Sequence, residues 1–361
     1  MRVGVDGRSL VGGGARGVAH YTAALLEALA AEFPDDEYRV LLPRGRAWVP
    51  PGVLPERHAL PGRALFAGAP FGRPRLDRLL PGCDAVWAPA PAPLAVGDTP
   101  FVLTVHDRSW EARPQDFTRY ERAWHLAARP RSLARRAAAV LCHAEVVRDE
   151  LLSEWSLDPA RVHAIPLAPR TMDVGDASGV RGRAGTPYFL FIGALEPRKA
   201  PDLLDEAFRL ARAQGLDAEL WIVGEGRLDP RGEGVVRLGR VDGLGPLYAG
   251  ALAVVLPSWL EGFGLPPVEG LAAGAPAIVS DLPVLREVLG EGALYVPPGD
   301  AAALAGALLS VAGDAALRAR LLESGRARIA ALSWAETARR TRAVLAAAAG
   351  DGRHIEGTQV P

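Results

Sequence analysis

The sequence has little cysteine and no long hydrophobic run. Cys83 and Cys142 are the only cysteines in 361 residues, and they have neither metal-site spacing nor the numbers for a disulfide framework. The most apolar runs, such as residues 249–256 and 343–349, are far shorter than the roughly 20 residues of a membrane-spanning helix. No basic segment followed by an apolar stretch opens the sequence, so we expect no secretory signal. These absences predict a cytoplasmic protein.

An excess of charge of one sign is also missing. The formal net charge is −1, which argues against nucleic acid as a partner. Residues 1–170 carry 22 arginines against 19 acidic residues, and this mildly basic half permits weak peripheral contact with the inner face of a membrane. Because 49% of the residues are hydrophobic, the chain can form a core, which excludes a disordered polymer.

Lysine is almost absent. Lys199 is the single lysine among 41 basic residues. In a chain so rich in arginine, alanine and glycine, composition alone leaves two readings equally open. Either Lys199 is a lysine that arginine has by chance not replaced, or a compact ammonium functions better at this position than a planar guanidinium.

Short apolar segments alternate with longer helical segments along the whole chain. Strands that are apolar throughout are typical of buried parallel sheets, and their alternation with helices indicates βαβ units. Since the chain is too long for one ordinary domain, we predict an α/β protein with two doubly wound, Rossmann-like domains facing across a cleft. The predicted strands are residues 3–5, 38–42, 84–87, 101–105, 139–142, 162–165, 188–192, 219–223, 235–238, 251–256, 277–279 and 293–296.

One stretch rich in Gly, Pro, Asp and Arg interrupts the alternation and predicts an interdomain linker. Beyond the second series of strands the sequence is helical up to a short polar tail. The predicted divisions are a first domain (1–168), the linker (169–187), a second domain (188–332), a final helix (333–349) and the tail (350–361).

The loops that follow strands are the candidate sites, because ligands bind doubly wound sheets at the carboxyl ends of the strands. After the first strand, Gly12, Gly14 and Gly17 precede a helix, a spacing that suits a phosphate at a helix N-terminus. A plain flexible loop explains the same glycines. Further on, a strand runs directly into His106 and Asp107, where chance and a catalytic histidine are both open.

Two adjacent cations follow the first strand of the second series. Arg198 and Lys199 stand immediately before a predicted helix, where cations are unfavourable unless an anion meets them. An arginine fork and a lysine point charge together suit a diphosphate. The placement of the only lysine here favours a functional site over a solvated helix start.

The richest segment covers residues 256–269. Gly262 and Gly264 expose backbone amides, and Pro266 and Pro267 fit the first turn of a helix. Glu261 precedes these residues and Glu269 follows them in the first turns of the helix. This arrangement suits phosphate at the loop and sugar hydroxyls at the carboxylates, although an ordinary loop and a well-started helix would look similar.

Together these residues resemble glycosyltransferase family 4. The resemblance implies the GT-B architecture and a retaining reaction. The similarity is strongest over residues 188–298 and most specific over residues 257–269, and the segment around Lys199 resembles a bacterial mannosyltransferase-like subgroup. The resemblance implies a hexosyltransferase of polysaccharide biosynthesis that takes a nucleotide-sugar donor and a glycan, lipid-linked or small-molecule acceptor, with no other cofactor.

The resemblance also implies that the first domain is the acceptor side, that the second binds the nucleotide sugar and that the final helix crosses back to the first domain. It implies roles for individual residues as well. His106 and Glu261 would be catalytic, beside the donor sugar. Gly14 and Gly17 would form the phosphate and acceptor loop. The implied donor-binding residues are Arg198, Lys199, Phe263, Gly264, Leu265 and Glu269.

A metal site is not expected. The chain contains no Asp-x-Asp pair, which the other major transferase fold uses to hold a divalent cation. Cations and a helix dipole would then stabilise the leaving group. Two alternatives bind the same donor: a GT-B sugar-nucleotide epimerase and a non-catalytic nucleotide-sugar-binding subunit. Only the transferase consumes donor in an acceptor-dependent way.

Overall fold

The computed structural model describes residues 1–12, 17–175 and 185–350, and these form two compact units. Unit 1 consists of Met1–Trp110, Phe117–Pro166 and the C-terminal residues from Ser333; unit 2 consists of Glu111–Asp116 and Leu167–Leu332. The division between them therefore falls two residues before the predicted end of the first domain. The short segment Glu111–Asp116 belongs to unit 2, and its Arg113 guanidinium stacks 4.7 Å from the Trp259 ring centroid.

Unit 1 contains a parallel sheet of seven strands in the order β3-β2-β1-β4-β5-β6-β7. The central strands β4, β5 and β6 are buried at every position, as expected for a sheet covered by helices on both faces. The strands are β1 (Arg2–Asp6), β2 (Glu37–Leu42), β3 (Leu54–Arg57), β4 (Ala85–Ala88), β5 (Phe101–Thr104), β6 (Ala139–Cys142) and β7 (Val162–Ala164).

The edge strand β3 was not predicted. Its sequence, Leu-Pro-Glu-Arg, is largely exposed and includes Pro55, which has no backbone N–H to donate to a ladder. Only the backbone register with β2 identifies it, with Arg39 opposite Leu54. Neither apolar runs nor alternation could reveal such a strand from the sequence.

The helices of unit 1 surround this sheet. Two of them meet at Pro130, where Arg129 adopts a left-handed conformation with φ 49° between the two helices. The helices are α1 (Gly17–Glu32), α2 (Gly62–Leu65), α3 (Leu76–Leu79), α4 (Ser109–Ala112), α5 (Arg119–Ala128), α6 (Pro130–Arg136), α7 (Glu145–Trp155) and, from the end of the chain, α14 (Trp334–Ala348).

Helix α14 belongs to unit 1 although it follows unit 2 in sequence. Ser333 caps it by accepting a hydrogen bond from the Glu336 amide at 3.2 Å. On one side the Thr337 hydroxyl donates to the Pro166 carbonyl at 2.8 Å. On another, Arg342 Nε donates to Asp36 Oδ2 at 2.9 Å. These bonds and a buried apolar face attach the end of the chain to its beginning.

Unit 2 contains a parallel sheet of six strands in the order β10-β9-β8-β11-β12-β13. Its strands are β8 (Tyr188–Ile192), β9 (Glu219–Val223), β10 (Val235–Gly239), β11 (Val254–Leu256), β12 (Ala277–Ser280) and β13 (Ala293–Val296). Its helices are α8 (Pro201–Ala213), α9 (Gly245–Ala249), α10 (Leu265–Ala273), α11 (Pro283–Leu289), α12 (Ala301–Gly313) and α13 (Ala315–Ile329).

The two units are alike in strand order, which confirms the predicted fold class of two doubly wound, Rossmann-like domains. In both, the order runs outward in one direction and then reverses, between β1 and β4 in unit 1 and between β8 and β11 in unit 2. Ligands of open α/β sheets bind outside the carboxyl ends of the strands at this reversal. The loops after these four strands are therefore the places to examine.

Within the described residues, no individual helix combines the length and hydrophobicity that crossing a bilayer requires, and one pair, Ala301–Gly313 with Ala315–Ala348, passes only when taken together across a 100° bend.

Candidate active site

The strand reversal of unit 2 brings together two of the predicted segments. The chain leaves β8, forms one short 3-10 turn at Pro197–Lys199 and enters α8. The Trp259 amide, which follows β11, donates to the Arg198 carbonyl at 2.9 Å. The two loops are thus joined through the backbone, and their side chains lie at the same edge of the sheet.

Lys199 and Glu261 form an ion pair at this edge. The Lys199 ammonium lies 2.5 Å from Glu261 Oε1, and their side chains are only 12% and 7% exposed. The anion that a cation at a helix start requires is thus supplied, in this structure, by the protein itself. An ammonium has three donors, so the same group can serve a carboxylate and a bound phosphate together.

A nearly buried ion pair is weak support for stability. Removing two charges from water costs several kcal/mol per ion, and their attraction repays this only with excellent geometry. Because open α/β sheets bind ligands at the strand reversal, the location of Lys199 and Glu261 there favours a functional role over a structural one.

Arg198 contributes differently from its neighbour. Its backbone carbonyl accepts the bond from Trp259, but in the described part of the chain its partly exposed guanidinium has no hydrogen bond or ion pair. A planar, unengaged guanidinium beside an engaged ammonium can fork onto an incoming anion.

Gly264 sets the start of α10. It has φ 86°, and a Cβ there would lie 2.5 Å from the Leu285 side chain, so any larger residue is excluded on both counts. The helix begins at Leu265, and the Phe263 side chain is buried ahead of it. The loop therefore carries its backbone to the edge of the sheet just where the dipole of α10 favours an anion.

Glu269 lies inside α10 with its side chain 1% exposed. Arg170 Nε donates to Glu269 Oε1 at 2.7 Å, and the Tyr248 hydroxyl donates to Oε2 at 2.6 Å. Burial acts to lower the pKa of Arg170, but Glu269 outweighs it and the pKa is raised. Burial first and Glu269 second raise the pKa of Tyr248 well above its usual value. Both donors therefore keep their protons and orient the carboxylate.

Ser258 is a further polar residue of this site and lies two residues after the end of β11. It is fully buried, and its hydroxyl has no hydrogen-bond partner among the described residues. An unsatisfied buried hydroxyl costs about 1–3 kcal/mol, and such groups in native structures call for a partner outside the protein.

The sheet of unit 1 carries two histidines at its carboxyl edge, one and two strands beyond the reversal. His106 follows β5, and its Nε2 lies 2.9 Å from the Pro89 carbonyl at the end of β4. Its Nδ1 lies 2.9 Å from Nε2 of His143, the residue after β6. Burial lowers the pKa of both imidazoles, and nearby Asp107 partly offsets this for His106. The ends of β5 and β6 therefore hold neutral rings, whereas at the reversal Arg8 and Asp6 form an ion pair, 2.6 Å apart and 11% and 4% exposed.

The glycine loop is only partly described. Gly17 opens α1 and is exposed. Gly14 lies outside the described residues, so its predicted role remains a prediction.

Four polar groups of these edges were missed in the sequence. Arg170 lies in the predicted linker, and Tyr248 in a short helix, with no spacing relation to Glu269. His143 and Ser258 each stand directly or closely after a strand, which is the same signal that identified His106. That signal, applied to every strand, would have found both.

In the described ranges, no group of three or more His, Cys, Asp or Glu side chains lies together in a way that could hold a metal ion.

Two family sequence models match the chain and together cover most of it. "Glycosyltransferase Family 4" matches residues 15–168, and "Glycosyl transferases group 1" matches residues 186–314. The chain belongs to glycosyltransferase family 4, and it is a glycosyltransferase with the GT-B fold. This confirms the resemblance seen in the sequence.

Two known relatives of the chain are named as mannosyltransferases. A phosphatidyl-myo-inositol mannosyltransferase from Mycobacterium leprae is 29% identical over 290 residues, covering 75% of this chain and 72% of the relative. An O-antigen chain mannosyltransferase B from Escherichia coli is 34% identical over 166 residues, covering 41% of this chain and 42% of that protein.

Solved structures share the architecture. A sucrose-phosphate synthase from Thermosynechococcus elongatus superposes with a TM-score of 0.73 at 21% identity, covering 95% of this chain and 98% of that one. At this identity the likeness supports the fold alone.

Proposed function

We propose that the protein is a retaining, metal-independent hexosyltransferase that moves a hexose from a nucleotide sugar to a glycan, lipid-linked or small-molecule acceptor. The observation that carries the proposal is the nearly buried Lys199–Glu261 pair at the strand reversal of unit 2. It places a cation and a carboxylate side by side, as a sugar diphosphate would require.

The leaving group in this reaction is a nucleoside diphosphate. Negative charge grows on its oxygens as the glycosidic bond breaks, and groups already aimed at that charge lower the barrier. Lys199, Arg198 and the start of α10 supply two cations and a helix dipole. These would do the electrostatic work for which other transferases use a metal ion.

The carboxylates serve the hydroxyl groups of the donor. Glu269 is oriented by Arg170 and Tyr248 and would accept hydrogen bonds from the ribose diol. Glu261 would accept from hydroxyls of the transferred sugar. Amides of Phe263, Gly264 and Leu265 complete the donor loop, and Ser258 offers its unsatisfied hydroxyl nearby.

Retention follows from front-face attack. In this mechanism the departing phosphate oxygen takes the proton of the acceptor hydroxyl, so neither a protein base nor a covalent carboxylate is required. Glu261 then stabilises and positions the donor. In unit 1, His106 is assigned to the transferred sugar, and Gly17 to the acceptor and phosphate loop.

The names of the relatives guide the choice of substrate. Both are mannosyltransferases, so GDP-mannose is the first donor to test, with UDP- and dTDP-hexoses as alternatives. One relative is named for a phosphatidyl-myo-inositol, which makes a lipid-linked acceptor reached from the cytoplasmic face of a membrane a reasonable target. Family membership favours transfer over the epimerase and the binding-subunit alternatives.

The test is donor turnover in EDTA. Purified protein is mixed with GDP-mannose, UDP-glucose or dTDP-glucose, with or without phosphatidylinositol vesicles or a mannose-terminated oligosaccharide. We expect nucleotide release that depends on acceptor, survives EDTA and gives a product with the donor's anomeric configuration by NMR. Epimerised donor without acceptor, an inverted product, or an absolute need for a divalent cation would contradict the proposal.

A further inference from the structure

Four neighbouring strands of unit 1 end in one connected chain of contacts. It runs from the Pro89 carbonyl after β4 to His106 after β5, then to His143 after β6 and the Ile165 carbonyl after β7. The three contacts measure 2.9, 2.9 and 3.2 Å. His143 is buried, with 3% of its surface exposed, and the mechanism proposed above does not use it.

Counting protons shows that this chain is one hydrogen short when neutral. Both outer partners are backbone carbonyls, which only accept, so each outer contact needs an N–H from the facing imidazole. The contact between Nδ1 of His106 and Nε2 of His143 needs a third. Two neutral imidazoles carry two N–H groups in total, and only a pair with one extra proton carries three.

We expect the longest contact to be the one that lacks its hydrogen near neutral pH. Burial lowers the pKa of both rings, so the neutral pair prevails, and the 3.2 Å contact between His143 Nδ1 and the Ile165 carbonyl is left without a proton. His143 then donates through Nε2–H to His106 Nδ1. This leaves His106 with its proton on Nε2, donated to the Pro89 carbonyl.

The surrounding groups do not change this count. Asp107 follows His106 and favours its charged form. The Tyr21 ring packs edge-on against both imidazoles, with centroids 4.9 Å away, and burial raises its pKa so that it stays neutral. Cys142 precedes His143 and is buried, and its thiol lies 3.7 Å from backbone carbonyls.

We infer that His143 is a positioning residue for His106: it fixes the tautomer and orientation of that ring, and the pair takes up a single proton at His143 Nδ1 on acidification. The ring that the family resemblance assigns to catalysis is thereby held between a fixed donor and a fixed acceptor. The catalytic part of this inference rests on the proposed function, and the tautomer does not.

The wild-type chain tests the tautomer directly. Nitrogen-15 NMR of histidine-labelled protein distinguishes protonated from bare ring nitrogens, and His106→Gln and His143→Gln variants assign the signals. At neutral pH we expect His106 to carry its proton on Nε2 and His143 on Nε2. As the pH falls, the pair should take up one proton and so complete the contact between His143 Nδ1 and the Ile165 carbonyl. His106 protonated on Nδ1 at neutral pH, or two separate imidazolium rings formed in one step, would overturn the inference.

Variants at position 143 separate positioning from packing. His143→Leu removes the donor, and His143→Gln keeps an amide N–H near the position of Nε2. We expect the Leu variant to show mixed His106 tautomers and to lose about 10- to 100-fold in kcat with little change in donor KM, by analogy with outer-shell groups that orient metal-bound imidazoles. The Gln variant should recover most of that loss.

His163→Gln is the matched control, because His163 lies on the adjacent strand β7 and its pKa is also lowered by burial. It should leave the His106 signals and kcat unchanged. Unaltered His106 signals in a folded His143→Leu protein would overturn the inference. If instead the signals change as expected but no acceptor-dependent turnover exists in any protein, the positioning stands and the proposed function fails.

Discussion

The two units share a strand order and differ in the chemistry at the carboxyl edge of the sheet. In unit 2 this edge holds the nearly buried pair Lys199–Glu261, and the buried Glu269 pairs with the partly exposed Arg170. In unit 1 an Arg8–Asp6 pair lies at the reversal, and two imidazoles whose charge burial suppresses follow the next strands, β5 and β6. The comparison teaches that the fold fixes where a site lies, while the residues after each strand decide what it binds.

This difference suits the two units to different chemical groups of the substrates. A diphosphate carries charge that must be met by preorganised cations, which unit 2 has. A neutral, hydrogen-bonded imidazole instead offers shape and orientation to uncharged groups such as sugar hydroxyls. The predictions below break or sharpen this division, beginning with the largest expected effect.

Removing α14 should destabilise unit 1 far more than unit 2. A chain ended at Leu332 loses the buried side chains Ala338, Val344 and Leu345, and a buried Val or Leu contributes about 1.5–3 kcal/mol each. We expect the melting transition of unit 1 to fall by more than about 10 °C. A chain ended at Gly350 keeps the helix and should melt like the full protein. Equal melting of both truncated chains would show that α14 is dispensable.

Lys199→Ala should abolish most turnover. If its ammonium meets charge that grows on the leaving diphosphate, its removal costs about 10²–10³ in kcat, with a smaller change in donor affinity. Arg209→Ala, on exposed α8 surface of the same unit, is the control and should have no effect. Steady-state kinetics on folded variants provides the measurement.

Lys199→Arg refines that result. The Lys199 and Glu261 side chains are nearly buried, and a larger planar fork should fit there badly, so activity should stay well below that of the wild type. Full activity with Arg, together with a small loss with Ala, would make Lys199 an ordinary solvated charge.

Glu269→Gln should weaken donor binding and also lower the free energy of unfolding, because Arg170 loses its charged partner. The amide keeps the shape of the side chain but loses the charge that accepts the ribose diol, which costs about 1.5–3 kcal/mol. Glu233→Gln, an exposed acid of unit 2, is the matched control. Calorimetry that finds the same donor affinity for both variants would remove Glu269 from the site.

Asp36→Asn should have the smallest effect and lies outside both sites. Burial acts to raise the pKa of Asp36, but hydrogen bonds from Arg342 outweigh it and lower the pKa. The ion pair therefore stabilises the fold above the unfolded carboxyl pKa, and this is lost as pH falls through the lower folded value. We expect a deficit of about 1 kcal/mol at pH 7 that disappears in acid. The exposed neighbour variant, Asp35→Asn, should show no deficit at either pH by denaturant unfolding.

Much of this architecture could be predicted because each buried parallel strand is a short, continuous apolar segment of the sequence. The twelve predicted strands all occur, since continuous apolar runs survive any detail of packing. Strand β3 was not predicted because an edge strand needs no continuous apolar segment. The helix break at Pro130 was predictable because proline cannot continue the helix hydrogen bonding.

Only part of the candidate site could be predicted from the sequence. Lys199 and Glu261 stood out by rarity and by motif, and the structure pairs them. Arg170 and Tyr248 could not be found, because their relation to Glu269 is made only by folding across 99 and 21 residues. His143 was accessible by its place after a strand, but its meaning depends on two backbone carbonyls that no sequence pattern marks.

Backbone hydrogen exchange of the full chain, with and without a saturating nucleotide sugar, tests the central claim most directly. The claim is that unit 2 holds the donor through the loops after β8 and β11. We predict that protection appears first and most strongly in peptides containing Arg198–Lys199 and residues 258–270, and that Lys199→Ala reduces it. Protection confined to unit 1, with those two loops exchanging as in the unliganded protein, would contradict the account.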